Sequence, residues 1–181
     1  MEHIIKTDRL QLHPISETDI NFIQRLNARP EYFKYESEVA KTDVEVAERC
    51  KWYFEGSKLV PDKGAIQWIL TKNESQIGEM HVWCNWERTH EWEIGWHLLI
   101  ENWGKGYATE AATAVIQYAF TNFNINRIMA CPNADNKRST ALCERIGMTK
   151  EGHMREVRLI NNVYYDEEVF GILKSDMNHT K

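Results

Sequence analysis

The sequence predicts an α+β fold in which a mixed sheet of about seven strands carries helices on its faces. Strand-like alternation and helix-like periodicity follow one another in the order β-α-α-β-β-β-α-β-α-β-β. In addition, a Gly-x-Gly turn joins an extended apolar stretch directly to a helix. The chain has 181 residues, a length that suits one domain spanning 1–181.

Local signals define the elements of the first half of the chain. Leucines alternate with polar residues in RLQLHP, which predicts the first strand. Ser16 can cap the first helix, and Thr42 with Glu45 forms a capping box for the second. Turn residues at 73–75 separate two apolar runs and predict a β-hairpin. The predicted elements are the strand Arg9–Pro14, the helices Glu17–Asn27 and Thr42–Phe54, and the strands Ile66–Thr71, Gln76–Cys84 and Glu91–Ile100.

Glycine and asparagine punctuate the second half. Gly104 opens a helix, and Gly147 stands where it would end the next one. Asn161 and Asn162 separate two apolar runs and predict a closing hairpin. The predicted elements are the helix Gly104–Asn122, the strand Arg127–Cys131, the helix Asn136–Ile146 and the strands Gly152–Ile160 and Val163–Ile172.

Composition and charge exclude several classes of protein. The chain is 43% hydrophobic and 27% charged, which is typical of a globular protein. A net charge of −5 argues against a nucleic-acid partner, which would select a basic surface. No apolar run approaches a membrane span, and the N-terminus does not resemble a signal peptide, so we expect no membrane partner and a cytoplasmic location. The four scattered cysteines predict reduced thiols and no metal site.

The stretch EIGWHLLIENWGKGYATEA has the features of an anion site. The N-terminus of a helix carries unpaired N–H groups and a partial positive charge. Glycines in front of it let the backbone approach a ligand closely, and phosphate is the usual guest. A Walker A loop is excluded because Lys105 is followed by Gly106 and Tyr107, and Thr109 replaces the third glycine of a dinucleotide fingerprint. A helix start with glycines for tight packing remains the alternative.

Three stretches together resemble one family. EIGWHLLIENWGKGYATEA, NRIMACPNADNKRSTALCERIGMTKEG and INNVYYDEEVFGIL resemble the GNAT superfamily of N-acetyltransferases. Within it they look like the RimJ/RimL branch, which includes enzymes that acetylate the N-terminal amine of ribosomal proteins. The resemblance implies the GNAT fold, with a central, mostly antiparallel twisted sheet and helices on both faces. It also implies direct transfer of an acetyl group from acetyl-CoA to a primary amine, without a metal.

The resemblance implies a set of cofactor-binding residues. The pyrophosphate of coenzyme A would lie on the loop and first helical turn formed by Gly104, Lys105, Gly106, Tyr107, Ala108 and Thr109. The pantetheine arm would lie along Leu98, Leu99 and Ile100, where this strand splays from Arg127–Cys131. Asn136 matches an asparagine that contacts pantetheine, with a plain helix cap as the alternative. Glu101 departs from the family pattern, and we expect it to point to solvent.

The resemblance also suggests catalytic residues. Glu93 would act as a base through a water molecule, and Ser139 would protonate the leaving thiolate. The N–H of Leu99 would donate to the oxyanion. Many family members use a tyrosine one turn beyond the serine, where this chain has Leu142 and Cys143, so that assignment does not carry over. The alternatives are a structural carboxylate for Glu93 and a hydroxyl bonded to the helix backbone for Ser139.

The sequence leaves the acceptor amine open between two classes. It also leaves open whether the protein forms a homodimer. The first is the α-amine of a protein N-terminus, and the second is a small amine such as a polyamine, an aminoglycoside or an amino-acid analogue. A third possibility is an acetyl-CoA-binding module without catalysis. The segment EYFKYESE at 31–38 is acidic and aromatic and would suit a cationic amine.

Overall fold

The computed structural model describes residues 3–36, 42–60 and 63–179, and a single sheet runs through them. Its eight strands lie in the order β1-β2-β3-β4-β5-β6-β8-β7. The strands are β1 (Ile5–Lys6), β2 (Gln11–Pro14), β3 (Ala65–Lys72), β4 (Ser75–Trp86), β5 (Glu91–Leu98), β6 (Arg127–Ala130), β7 (Thr149–Ile160) and β8 (Val163–Leu173). The α-helices are α1 (Ile20–Asn27), α2 (Pro30–Phe33), α3 (Asp43–Gly56), α4 (Tyr107–Asn122) and α5 (Lys137–Arg145).

Neighbouring strands pair antiparallel except β5 and β6, which are parallel. This pattern confirms the predicted mixed, mostly antiparallel sheet. The structure has eight strands rather than about seven because β1 is two residues long, too short to show alternation. Helix α2, a single turn with a proline at its start, also escaped the sequence analysis.

Helices cover both faces of the sheet, as predicted, and each face has its own core. On the first face, α4 and α5 pack on a cluster that includes Trp68, Met80, Trp92, Ile128 and Phe170. On the second face, α1 and α3 pack on a smaller cluster that includes Ile23, Val46, Cys50, Tyr53 and Ile69. Alternation along β5 therefore sends even-numbered side chains to the first face and odd-numbered ones to the second. None of the helices in the described ranges is long and apolar enough to cross a membrane.

The predicted caps and turns largely form as the sequence indicated. Thr42 and Glu45 make the capping box at the start of α3. Asn161 and Asn162 turn the β7–β8 hairpin with φ of 50° and 63°, the left-handed conformation that a two-residue hairpin loop requires. The β3–β4 turn is shorter than predicted, because it consists of Asn73 and Glu74 alone.

A buried ion pair crosses β4 and β5 on the second face. Glu79 is opposite His97 in the register and only 1% exposed, and its Oε1 lies 3.2 Å from His97 Nδ1. Burial alone would raise the pKa of Glu79, but the hydrogen bond with His97 and nearby cationic groups lower it to about 2. Burial would lower the pKa of His97, but the carboxylates of Glu36 and Glu79 beside it raise it to about 9. Both groups are therefore charged at neutral pH.

We predict that His97→Gln destabilises the fold by roughly 3 kcal/mol at pH 6, because it removes a hydrogen-bonded cation from the buried charge of Glu79. The folded-state pKa of His97 is raised, so its contribution is complete below the ordinary value of 6.5 and is lost as the pH rises through about 9. The stability difference between wild type and variant should therefore narrow over that range. Urea unfolding at several pH values measures it.

His153→Gln is the matched control, because His153 pairs with Asp166 at the surface, with side chains 43% and 36% exposed. A surface pair of this kind contributes about 1 kcal/mol or less. An equal loss of free energy of unfolding in the two variants would show that the buried pair stabilises the fold no more than the surface pair does.

Candidate active site

The site begins where β5 and β6 part. The two strands pair only from Glu91 to Glu93 on β5, opposite Arg127 to Met129 on β6. Beyond Glu93, β5 continues to Leu98 with none of the described strands beside it on that edge. An extended ligand can pair with such an open strand edge. The predicted splay is therefore present, and its apex is at Glu93.

The backbone at the end of β5 differs from the predicted ligand contacts. The N–H of Leu99 donates to the carbonyl of Ile77 on β4 at 2.9 Å, so the prediction of Leu99 as the oxyanion donor is wrong. Antiparallel register alternates the direction of main-chain groups, so those of Leu98 face the open edge. The Leu98 carbonyl already accepts from the Trp103 indole at 2.8 Å, and Ile100 starts a 3₁₀ turn. The N–H of Leu98 also faces this open edge and can donate to a ligand.

The glycine loop presents unpaired donors. Gly104 and Gly106 have φ of 71° and 80°, which few other residues adopt. The first intrahelical bond of α4 runs from the N–H of Glu110 to the carbonyl of Gly106, at 3.1 Å. The N–H groups of Tyr107, Ala108 and Thr109 therefore have no acceptor within the helix. Gly106 has no side chain with which to cap them, so this helix end can hold an anion.

The arrangement of charged side chains around the loop favours the binding of an anion. Glu101 is 52% exposed and contacts Arg29 at 3.3 Å, in keeping with the expectation that it points to solvent. The ammonium of Lys105 donates to the main-chain carbonyl of Glu101 at 2.7 Å and stays beside the loop. Arg138, from the first turn of α5, lies over the Trp103 ring at 4.6 Å. The loop therefore has positive charge close to its free N–H groups.

The N-terminal end of α5 packs against β5 on the first face of the sheet. Asn136 caps this helix, since its side-chain oxygen accepts from the N–H of Ser139 at 3.3 Å. The helix cap, which the sequence analysis gave as the alternative, is thus present, and the amide nitrogen is the part of Asn136 that can face a ligand. The Trp96 indole donates to the Ser139 hydroxyl at 3.3 Å, which orients that hydroxyl towards β5. One turn on, Leu142 and Cys143 are buried, so that position supplies no hydroxyl.

Glu93 lies on the second face at the apex of the splay, opposite the side chains of Trp92 and Ile94, as predicted. Burial raises its pKa to about 7, and the negative charge of Glu167 adds to this, while Arg158 opposes it. A carboxyl group with this pKa exchanges protons readily near neutral pH.

A chain of alternating charges crosses the second face beside Glu93. Arg158 of β7 donates to Glu167 at 2.6 Å and to Glu36 at 2.8 Å. Glu36 in turn lies 3.9 Å from Nε2 of His97, which pairs with Glu79. Burial would raise the pKa of Glu36, but the contacts with His97 and Arg158 lower it. Glu36 is the described end of the predicted acidic segment, and residues 37 and 38 lie outside the described part of the chain.

Aromatic rings line the same face. His81 lies between Tyr53 and Trp83, with ring centroids 5.6 Å and 5.2 Å away. A Cβ at Gly95 would lie 2.3 Å from His81 Nε2, so the glycine makes room for the imidazole. Burial lowers the pKa of His81 to about 4, which leaves it neutral beside the charged His97. The result is a wall of uncharged rings beside Glu93.

The sequence analysis did not assign His97, Glu79, Arg158 or Glu167 to the site. Strand alternation would have placed His97 on the face of Glu93, four residues away. No local signal joins Arg158 to Glu36, since they are 122 positions apart. The cysteines of this region are not nucleophiles, because burial raises the pKa of both Cys131 and Cys143 to about 12.

Comparison with known proteins agrees with this geometry. Residues 9–149 match the family described as Acetyltransferase (GNAT) domain. The chain is 28% identical over 173 residues to the uncharacterized N-acetyltransferase YoaA of Bacillus subtilis, covering 94% of this chain and 97% of that one. It is 25% identical over 170 residues to spermidine N(1)-acetyltransferase of Vibrio cholerae, covering 92% and 94%. It is 34% identical over 87 residues to the [ribosomal protein uS5]-alanine N-acetyltransferase of Escherichia coli, covering 48% and 45%.

Among solved structures, the fold matches RimL, a ribosomal L7/L12 alpha-N-protein acetyltransferase crystallised with coenzyme A. The TM-score is 0.84 at 17% identity, over 94% of this chain and 97% of that one. These relatives are consistent with the resemblance to the RimJ/RimL branch. The chain belongs to the GNAT family and is an N-acetyltransferase.

Proposed function

We propose that the protein acetylates the N-terminal α-amine of a peptide or protein, using acetyl-CoA and Glu93 as the base. The observation that carries this proposal is the position of Glu93 at the apex of the β5–β6 splay. An acetyl group lying in the splay would be next to a carboxylate whose pKa of about 7 suits proton transfer at neutral pH.

Acetyl-CoA fits the described groups from end to end. Its pyrophosphate would accept from the N–H groups of Gly106, Tyr107, Ala108 and Thr109, with Lys105 supplying charge. Its pantetheine arm would run along the open edge of β5 from Leu98 towards the apex, with the amide of Asn136 across from it. This places the thioester at the inner end of the splay. No step of this binding mode needs a metal.

The reaction is a direct attack. Glu93 accepts a proton from the ammonium through a water molecule, and the neutral amine nitrogen bonds to the thioester carbon. The oxyanion accepts a hydrogen bond from a main-chain N–H on the open edge of β5 next to the thioester. The C–S bond then breaks, and the thiolate takes a proton from the Ser139 hydroxyl. The nitrogen loses one proton as the amide forms, and transfer of that proton through solvent restores the Ser139 hydroxyl.

The raised pKa of Glu93 favours an α-amine as the acceptor. An α-amine titrates near pH 7.7–8.0, within about one unit of the base, whereas a lysine-like amine titrates near 10.4. Deprotonating the second by a group with a pKa of about 7 costs roughly 4 to 5 kcal/mol. The relative that modifies ribosomal protein uS5 at alanine points the same way.

A small amine is the second candidate, because a spermidine N(1)-acetyltransferase is similar over nearly the whole chain. The carboxylates of the second face could attract a polycation. However, Glu36 and Glu167 are both paired with Arg158, and Glu79 with His97. These pairs weaken the attraction for a multiply charged amine, so the α-amine stays our preference.

We predict that Gly106→Val abolishes the rise in melting temperature that acetyl-CoA causes in wild type. A β-branched residue is strained at the φ of 80° and would displace the loop from the pyrophosphate. A ligand at 100 times its Kd stabilises a binding protein by about 2.7 kcal/mol, which is easily measured. Gly147→Val is the matched control, because it imposes similar strain at a φ of 84° beyond α5 and should keep the ligand shift.

We predict that Glu93→Gln lowers kcat/KM by about 100-fold at pH 7, with little change in affinity for acetyl-CoA. Only the ionised carboxylate is a base, so wild-type activity should rise as the pH passes about 7. The variant should lack this inflection, and its deficit should shrink at high pH, where the amine is already neutral. Glu91→Gln, on the same strand and face, is the control and should keep the inflection. The pH profiles of kcat/KM for both variants test the role of Glu93.

We predict that Ser139→Ala lowers the rate by about 10- to 100-fold, because the leaving thiolate loses its proton donor. The affinity for acetyl-CoA should remain, since the capping role of Asn136 uses the Ser139 backbone and not its hydroxyl. Single-turnover rates with acetyl-CoA test this directly. An unchanged rate would remove Ser139 from the mechanism.

We predict a higher kcat/KM for a short peptide with a free, small N-terminal residue than for spermidine or free lysine at pH 7.5. A peptide with a blocked N-terminus and an internal lysine should be nearly inert, because its amine titrates near 10.4. Product analysis by mass spectrometry compares these acceptors. If spermidine or an aminoglycoside surpasses every peptide, the small-amine function replaces this one while the acetyl-CoA site stands.

A further inference from the structure

We propose that Arg9 is a positioning residue that holds the glycine loop in its CoA-binding conformation. The inference rests on the proposed acetyl-CoA site and adds to it a residue from near the N-terminus, far from the loop in sequence. One guanidinium nitrogen of Arg9 donates to the main-chain carbonyl of Lys105 at 3.0 Å. This carbonyl belongs to the peptide between the two loop residues Lys105 and Gly106.

The direction of the Lys105 carbonyl also sets the direction of the neighbouring N–H of Gly106. In a trans peptide the C=O and the following N–H point in opposite directions. A carbonyl of Lys105 held towards Arg9 therefore turns the N–H of Gly106 away from Arg9. Because Gly106 tolerates φ of either sign, the peptide could otherwise rotate and present its oxygen to a bound phosphate. A carbonyl oxygen there would repel the anion.

Glu110 holds Arg9 in place. The side chain of Arg9 donates from Nε to Glu110 Oε2 at 2.6 Å, and its own backbone N–H donates to Oε1 at 2.9 Å. The hydroxyl of Thr7 donates to the same Oε1 at 2.5 Å. Burial of Glu110 would raise its pKa, but these hydrogen bonds lower it, so the carboxylate is charged. Glu110 lies in the first turn of α4, directly after the loop.

The turn that carries Arg9 is itself fixed. It joins β1 to β2, and the N–H of Leu10 donates to the Thr7 hydroxyl at 3.0 Å. Leu10 is only 4% exposed and anchors the turn in the core of the first face. Arg9 also lies 4.7 Å from the centre of the Tyr107 ring. The edge hairpin β1–β2 thus delivers one guanidinium to one carbonyl of the loop.

Arg9 acts through geometry and not as a phosphate-binding charge. Its guanidinium is engaged by Glu110 and by the Lys105 carbonyl, and the carboxylate cancels its charge. A lysine could satisfy Glu110, but its single ammonium lacks the planar fork that reaches both acceptors. The two functions of the side chain can therefore be separated by substitution.

The test compares binding of two ligands by wild type and variants. Arg9→Gln should raise the Kd for CoA about three- to tenfold in calorimetry, the loss expected when one oriented donor becomes mobile. It should leave the Kd for pantetheine, which lacks the pyrophosphate, within about twofold in NMR titrations. Arg9→Lys should bind CoA no better than Arg9→Gln. Arg25→Gln, which removes an exposed arginine from α1 on the other face, should match wild type for both ligands.

Three results would overturn the inference. The first is an unchanged Kd for CoA in Arg9→Gln, and the second is a parallel loss of CoA and pantetheine binding, which would indicate a general loosening of the fold. The third is full recovery in Arg9→Lys, which would make charge rather than geometry the cause. If wild type itself fails to bind CoA, the proposed cofactor site falls and the role of Arg9 falls with it.

Discussion

The parting of β5 from β6 is the constraint on which the rest of the site depends. The two strands are parallel, so the chain must cross between them, and α4 makes that crossing. The loop that starts α4 therefore stands at the open end of β5, while pairing stops five residues earlier at Glu93. At about 3.3 Å per residue, roughly 16 Å of strand edge separate the end of β5 beside the glycine loop from Glu93, the proposed base. In the proposed binding mode, this single topological feature sets the distance between the two ends of acetyl-CoA.

Strand β5 serves a different chemical purpose on each face. On the first face Trp96 fixes the Ser139 hydroxyl, which belongs to the helix that follows β6. On the second face Glu93 and His97 point among carboxylates and rings, with Gly95 between them to admit His81. Alternation therefore keeps Ser139, the proposed proton donor, and Glu93, the proposed base, on opposite sides of the same strand. In the proposed mechanism the thioester lies between them, so the amine approaches from one side and the thiolate is protonated from the other.

Features that depend on residues close in sequence could be predicted, whereas contacts between residues far apart in sequence could not. The capping box at Thr42 and the turn at Asn161 need only neighbouring residues, so the sequence predicted both. The Leu99 N–H was assigned wrongly because its direction depends on the register with β4, which no short motif encodes. The contact of Arg9 with Glu110 joins residues 101 positions apart. The strand β1 that supports it is two residues long and leaves no periodic signal.

The charge balance around Glu93 explains how this carboxyl group keeps a raised pKa among so many ionisable neighbours. Arg158 could lower the pKa of Glu93 into the ordinary range, but it is shared between Glu36 and Glu167. His97, another cation of this face, is engaged by Glu79. Each cation is thus held by carboxylates other than Glu93, and burial of Glu93 then dominates its pKa. The surrounding ion pairs weaken the attraction of the site for polycations. In the proposed mechanism they also leave Glu93 as a base with a pKa of about 7, which matches an α-ammonium group better than a lysine-like one.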